Sequence, residues 1–340
     1  MMGDRVTIIA EAGINHNGEI SVARQLIDKA SEAEADYVKF QTFRADKLVS
    51  QFAEKAAYQK NDTGDRENQL QMLEKLELGI PELKELIKYA EGKGIELLSS
   101  PFDTDSVNQL VELGIPIIKV PSGEITNLPY LRSVGNTEVP VILSTGMAEL
   151  AEVESALKIL IESGTKKKSI IVLHCHTDYP TSFRDVNLKA MNTIKKELNV
   201  NVGYSDHTLG TEIPVAAVAL GAKVIEKHFT LDRMMEGPDH KSSLEPDELR
   251  KMVQSIRNVE LGLGDGIKKP TKSELKNRDV VRKSIHYNRD LRKGSALHNE
   301  DLIMLRPGDG ISPMEVDQII GNKLALDVLC GQKANRSDFV

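Results

Sequence analysis

Tryptophan is absent, and aromatic residues make up only 4% of the 340 residues. That leaves too few flat rings for a base-stacking platform. There are two cysteines, Cys175 and Cys330, so a disulfide framework is excluded and a reducing, cytoplasmic setting is expected. No apolar run approaches the roughly 18 residues of a membrane span. The opening Met1-Met2-Gly3-Asp4-Arg5 lacks a secretory-leader pattern and runs straight into an apolar segment. An excess of positive charge is also missing. Lys and Arg number 44 against 51 Asp and Glu, a net charge of −7, which speaks against a nucleic-acid partner. An acidic chain that binds an anionic substrate needs a local cluster of cations.

With 40% hydrophobic and 28% charged residues, the composition is that of an ordinary globular protein. The length suggests roughly two domains. Short β-rich runs recur at Val6–Ala10, Tyr37–Gln41, Glu96–Ser99, Ile115–Val120, Val139–Leu143, Ile170–His174, Asn201–Tyr204 and Lys223–Glu226. Between them lie stretches with apolar residues at helical spacing: Ser21–Ala35, Ile80–Lys93, Asp105–Leu113, Ala151–Ser163, Asn187–Leu198 and Glu245–Leu261. Several end at a glycine, as at Gly94, Gly114 and Gly164. Eight strands alternating with helices predict an α/β fold of the (β/α)8 barrel type, with a doubly wound sheet as competitor. Polar insertions at Asp46–Leu70 and Thr230–Ser243 follow strand ends. The glycine- and lysine-rich stretch Gly262–Asn277 reads as a linker, and a compact, turn-rich segment begins near Val280. The expected division is 1–265 barrel, 266–279 linker and 280–340 small domain.

Every expected strand ends in chemically capable side chains: Glu11; Lys39 and Gln41; Ser99 and Ser100; Lys119, Ser122 and Glu124; Ser144 and Thr145; His174, His176, Thr177 and Tyr179; Ser205, Asp206 and His207; Glu226, Lys227 and His228. In a barrel these converge on one mouth, where an active site is expected. Lys39 and Lys119 interrupt apolar runs, and a buried lysine needs an anionic partner or a shifted pKa. An anion cradle with Ser100, Ser122 and Ser144 fits them better than a Schiff base. A structural salt bridge, for instance Lys119 to Glu124, is the remaining reading. His207 and His228 end adjacent strands and suit a divalent metal with open positions. His174 reads as packed, Cys175 as an inert core thiol, and Asp239 or His240 as lining the mouth.

The ordered series Ile9-Ala10-Glu11-Ala12-Gly13-Ile14-Asn15-His16-Asn17-Gly18, Val38-Lys39-Phe40-Gln41-Thr42-Phe43, Ser100-Pro101-Phe102-Asp103, Lys119-Val120-Pro121-Ser122-Gly123-Glu124, Leu143-Ser144-Thr145-Gly146-Met147, Ser205-Asp206-His207, Glu226-Lys227-His228-Phe229-Thr230 and Gly237-Pro238-Asp239-His240 resembles the bacterial sialic acid synthases (N-acetylneuraminate synthases). That family includes the legionaminic and pseudaminic acid synthases. Arg282-Lys283-Ser284-Ile285 and Arg306-Pro307-Gly308-Asp309-Gly310 resemble its antifreeze-like (SAF) domain.

The resemblance implies a TIM barrel followed by a small C-terminal SAF domain. It also implies a condensation of phosphoenolpyruvate with an open-chain N-acetylhexosamine, releasing phosphate by C–O cleavage. N-acetylmannosamine, giving N-acetylneuraminate, is the first expectation. A 2,4-diacetamido-2,4,6-trideoxyhexose, as in legionaminic acid synthases, is the alternative, and a metal-dependent pyruvate aldolase is a more distant rival. By the same resemblance Lys39, Lys119, Ser122, Ser144 and Ser205 would hold the phosphate and carboxylate, with Gln41, Ser100 and Thr177 in support. Glu11, Tyr179 and Asp239 would bind sugar hydroxyls, and Glu124 would handle a proton. His207 and His228 would hold the metal, Mn2+ first, with Mg2+ or Co2+ as substitutes. Some members carry Asn at one of the positions occupied here by His176 and Thr177, so that local contact stays open. A homodimer is implied in which the small domain covers the partner's mouth and Arg306 reaches the sugar's N-acetyl group. Neither nucleic acid nor membrane is an implied partner.

Overall fold

The computed structural model describes residues 5–56, 59–60 and 67–340. The opening four residues, and part of the insertion expected at Asp46–Leu70, lie outside the described residues. The chain divides into two compact units, Met1–Gly264 and Asp265–Val340.

The first unit is built on eight parallel strands: β1 (Thr7–Gly13), β2 (Tyr37–Thr42), β3 (Glu96–Pro101), β4 (Ile118–Val120), β5 (Val141–Ser144), β6 (Ile170–Cys175), β7 (Asn201–Asp206) and β8 (Val224–His228). Each overlaps an expected run. Their order, β3-β2-β1-β8-β7-β6-β5-β4, is a ring. Seven seams are parallel ladders, and β3 lies beside β4 at the eighth. This is the (β/α)8 barrel rather than the doubly wound sheet.

Helices α1 (Ile20–Glu32), α2 (Ile80–Gly92), α3 (Thr104–Glu112), α4 (Leu128–Asn136), α5 (Leu150–Glu162), α6 (Lys189–Leu198), α7 (Glu212–Ala219) and α8 (Pro246–Leu263) surround it. Their apolar stripes decide which face turns inward. In α1 the buried residues are Ala23, Leu26, Ile27 and Ala30, and full burial of a leucine or isoleucine is worth about 1.5–3 kcal/mol. Periodicity did not reveal α4 or α7. α7 is apolar nearly all round (Ile213, Pro214, Val215, Ala216, Ala217, Val218), so it has no stripe. α4 opens on Asn127, whose side chain caps Tyr130, with Pro129 in the first turn, and those residues read equally as a loop.

Within the span read as a linker, helix α9 (Lys272–Val281) starts at a Thr271–Glu274 capping box and buries no side chain. It belongs to the second unit. There β9 (Ser284–Tyr287) and β10 (Leu302–Leu305) pair antiparallel over a separate core of Ile285, Tyr287, Leu297, Leu324, Val328 and Ala334. Among the described residues no helix is long and apolar enough to cross a membrane.

Candidate active site

Strand register brings the polar strand ends together. On β1, Glu11 lies opposite Lys39 of β2 and His228 of β8. The β1–β2 register slips between Glu11 and Gly13, a bulge of the kind that re-aims side chains beside active sites. Gly13 sits there at φ +54°, and a Cβ on it would lie 3.3 Å from both Gln41 Nε2 and Glu11 Oε1.

A buried chain of charges crosses the barrel. Lys39 Nζ stands 2.8 Å from Glu11 Oε2 and 3.7 Å from Glu226 Oε2, and donates to Ser100 Oγ at 2.8 Å. Lys119 Nζ donates to Glu226 Oε1 at 3.0 Å, as does Ser205 Oγ at 3.0 Å. Gln41 Nε2 donates to Glu11 Oε1 at 3.3 Å. The salt-bridge reading of Lys119 with Glu124 is corrected: its partner is Glu226. Glu124 lies half-buried on the turn after β4, where Asn127 Nδ2 donates to it at 2.6 Å, outside this chain of charges. The register explains the choice. Glu226 faces inward from β8 toward β4, whereas Glu124 follows the strand's end.

The two carboxylates separate in acidity. Burial pushes Glu11 up, partly offset by the Lys39 ammonium and reinforced by the charge on Glu226. Burial would push Glu226 up too, but the Lys119 and Lys39 ammoniums outweigh it and hold that carboxyl well below the usual range. Burial works against the charge on Lys39, yet Glu11 and Glu226 overcome it and raise its pKa. A lysine held as ammonium suits an anion cradle and not a Schiff base.

Beside these groups stand the two imidazoles. The rings of His207 and His228 are 5.4 Å apart between centroids. Tyr179 stacks on His207 at 4.2 Å and meets His228 edge-on at 5.6 Å, so its ring covers both. Burial lowers His207 to about 4 and His228 well below its ordinary value, with the neighbouring His207 second. Both are neutral at pH 7. His207 Nδ1 donates to the carbonyl oxygen of His176, which leaves a lone pair on Nε2. Ser205 Oγ, 3.4 Å from Nε2, donates its proton to Glu226. His228 Nδ1 has no hydrogen-bond partner among the described residues; Asp239 Oδ2 is 3.8 Å away, beyond bonding distance. Two neutral imidazoles with uncommitted lone pairs fit a divalent ion. No cluster of three or more His, Cys, Asp or Glu side chains suited to a metal occurs among the described residues. The ion would therefore rest on these two rings and on oxygen atoms of water or substrate.

The serines form a second group. Ser122 Oγ accepts the Gly146 N–H at 3.0 Å and lies 3.3 Å from Cys175 Sγ. A Cβ on Gly146 would come within 2.4 Å of Thr177 Cγ2, so Thr177 closes over the same spot. Ser144 Oγ is buried without a hydrogen-bond partner among the described residues. Arg306 is exposed at the end of β10 in the second unit. His174 is packed as expected, its Nε2 on the Val186 carbonyl at 2.9 Å.

Sequence reasoning gave no role to Glu226, which anchors both lysines. Its signal was the same as theirs, a charge inside an apolar strand (Val224-Ile225-Glu226). It also missed the network beneath Asp239. There Ser243 Oγ donates to the Asp239 carbonyl at 2.7 Å and Asn15 Nδ2 donates to Ser243 Oγ at 3.0 Å. His240 bonds Thr230 Oγ1 at 2.6 Å and Asn17 Oδ1 at 3.2 Å. The Asn15–Ser243 and Asn17–His240 partners lie more than 200 residues apart, so no local pattern shows them. A cavity of about 920 Å³ opens at the other end of the barrel, lined by Thr7, Asp36, Tyr37, Glu96 and Asn201 at the strand starts. It holds none of these groups.

Buried ammoniums, carboxylates of split acidity and neutral imidazoles at the C-terminal ends of eight parallel strands define a (β/α)8-barrel enzyme. Comparison with known proteins narrows the class. The sequence profile of the NeuB family matches residues 26–268, and that of the SAF domain matches residues 282–332. The chain is 51% identical over 317 residues to the N,N'-diacetyllegionaminic acid synthase of Campylobacter jejuni, covering 93% of this chain and 95% of that one. To the synthase of the same name from Legionella pneumophila it is 48% identical over 326 residues, covering 95% and 92%. A crystal structure of N-acetylneuraminic acid (sialic acid) synthetase from Leptospira borgpetersenii superposes with a TM-score of 0.71 at 36% identity, covering 81% of this chain and 91% of that one. The chain belongs to the NeuB family of sialic-acid-type synthases.

Proposed function

We propose that the enzyme condenses phosphoenolpyruvate with a 2,4-diacetamido-2,4,6-trideoxyhexose, giving an N,N'-diacetyllegionaminic-type acid and phosphate. The observation that carries the chemistry is the Lys39–Glu226–Lys119 line beside two neutral imidazoles. The substrate rests on the two legionaminic acid synthases at 51% and 48% identity. They favour the trideoxy sugar over N-acetylmannosamine, the first expectation from the motifs.

The overall change balances as follows. C3 of phosphoenolpyruvate bonds to the aldehyde carbon, the aldehyde oxygen takes a proton, and water adds at C2. The C2–O bond to phosphate then breaks and leaves a ketone. Lys39 and Lys119, with Ser144 and Ser205, hold the phosphate and carboxylate; charge-assisted contacts in a dry site are the strong ones. Ser122, Ser100, Gln41 and Thr177 fix their positions. Glu11, whose carboxyl burial pushes up, supplies the proton near the aldehyde oxygen, and Glu124, also pushed up by burial, handles one at the tetrahedral centre. Tyr179 and Asp239 face the sugar. His207 and His228 would hold the divalent ion, Mn2+ first, which when bound supplies Lewis-acid polarisation of the aldehyde. The partner subunit in a homodimer would bring its Arg306 to the acetamido group. The two free cysteines support a cytoplasmic setting.

The test is kcat/KM on three sugars: the trideoxyhexose, N-acetylmannosamine and its 6-phosphate. The trideoxyhexose is expected to lead by tenfold or more, because a pocket shaped for a 6-methyl group leaves a hydroxyl unpaired. Preference for the 6-phosphate overturns the reading. Phosphoenolpyruvate labelled with 18O at the bridging position should release the label in phosphate.

A further inference from the structure

We propose that the buried Asp206–Lys227 ion pair is a positioning device that sets His207 and His228 at their working separation. The inference rests on the reading of that histidine pair as the metal-holding site. Asp206 precedes His207 and Lys227 precedes His228, and the two stand directly opposite each other in the β7–β8 ladder. Side chains alternate along a strand. Ser205 and Glu226 therefore turn into the barrel, where they bond each other, while Asp206 and Lys227 turn outward beneath the helices. Lys227 Nζ lies 2.5 Å from Asp206 Oδ2, and both side chains are 0% exposed.

Thr208 ties the far side of His207 to the same pair. Its Oγ1 donates to both carboxylate oxygens at 3.0 Å, its N–H donates to Oδ1 at 3.2 Å, and its carbonyl accepts from Lys227 Nζ. His207 is thus held between two residues clamped to one lysine, and that lysine is next to His228 in the chain. The carbonyl of His176 fixes only the tilt of the His207 ring. The Asp206–Lys227 pair fixes its height relative to His228. A wholly buried ion pair is a poor source of stability, since apolar residues of similar volume serve as well or better. Positional control accounts for its place; stability does not.

The experiment uses the full chain with the paired substitution Asp206→Leu and Lys227→Met, and separately Thr208→Val. Melting temperature reports folding. Mn2+ affinity of metal-stripped enzyme is read by electron paramagnetic resonance, phosphoenolpyruvate affinity by calorimetry, and the imidazole carbons by NMR without metal. The paired variant should melt within a few degrees of the parent. It should bind Mn2+ about 10- to 100-fold more weakly, the usual effect of losing outer partners of a metal ligand, with phosphoenolpyruvate affinity changed less than threefold. Both His207 and His228 resonances should move, and Thr208→Val should shift the same signals by less. If the parent itself fails to bind Mn2+ while those resonances still move in the variants, the metal reading falls and the positioning claim stands. Unmoved resonances in folded variants overturn the proposal, as does unchanged Mn2+ affinity where the parent binds the ion. If the paired variant does not fold, Thr208→Val alone decides by the same readouts.

Discussion

Lys119 of β4 and Glu226 of β8 belong to strands that are not neighbours in the ladder, yet their Nζ and Oε1 atoms lie 3.0 Å apart across the barrel interior. The other oxygen of Glu226 faces Lys39 at 3.7 Å. One carboxylate thus holds two ammoniums inside the barrel, on the line proposed to cradle the anionic substrate.

Replacing Lys119 with Met removes one of those ammoniums. A charge-assisted contact is worth roughly 1.5–3 kcal/mol, about a 10- to 150-fold change in binding. The KM for phosphoenolpyruvate should rise by that factor, with the sugar KM moving little. Borohydride trapping of a covalent adduct on Lys39 or Lys119 would replace the cradle with a Schiff base.

Chelation should abolish turnover and Mn2+ should restore it. Substituting both His207 and His228 with Ala should remove Mn2+ binding, measured directly on the purified protein. Full activity in that double variant would show that the imidazoles serve some other purpose.

Gly146 has no room for a side chain. An alanine there would place its Cβ 2.4 Å from Thr177 Cγ2 and 2.9 Å from Ser122 Oγ. Displacing groups that position substrate by about an ångström costs up to roughly 100-fold. Gly146→Ala should lower kcat/KM by roughly 10- to 100-fold, and adding Thr177→Ser, which deletes the offending methyl, should recover part of it. No recovery would mean that Ser122 is the group disturbed.

His16 is fully buried against Phe40, and burial lowers its pKa from 6.5 to about 4. The unfolded chain therefore binds a proton between those values that the folded chain refuses. This contribution is whole above pH 6.5 and is lost as pH falls toward 4, roughly 3 kcal/mol over the window. In urea denaturation, His16→Phe should flatten the decline of stability between pH 7 and 4.5. Parallel declines in both proteins would assign the acid sensitivity to other groups.

Much of this molecule was written locally. The strands showed as short, nearly continuous β-rich apolar runs, as strands buried on both faces must be, and most helices showed as stripes with a period of 3.6 residues. The mouth showed because Lys39, Lys119 and His228 are too costly inside an apolar strand to be there by chance. Helix α7 hid because it is apolar on every side, and α4 because a capping Asn and an early Pro also describe a loop.

The sequence by itself determined the barrel and the polar, charged side chains that end its strands. Only the tertiary structure decided who pairs with whom. Glu226 takes Lys119 where Glu124 was the near neighbour in sequence, Glu11 meets Lys39 across the β1–β2 ladder, and Tyr179 lays its ring against two imidazoles. Asp206 and Lys227 vanish behind the strands whose histidines they flank. Identity and period are properties of a segment. Pairing depends on ladder register across the barrel, and register is set by the closing of all eight strands together.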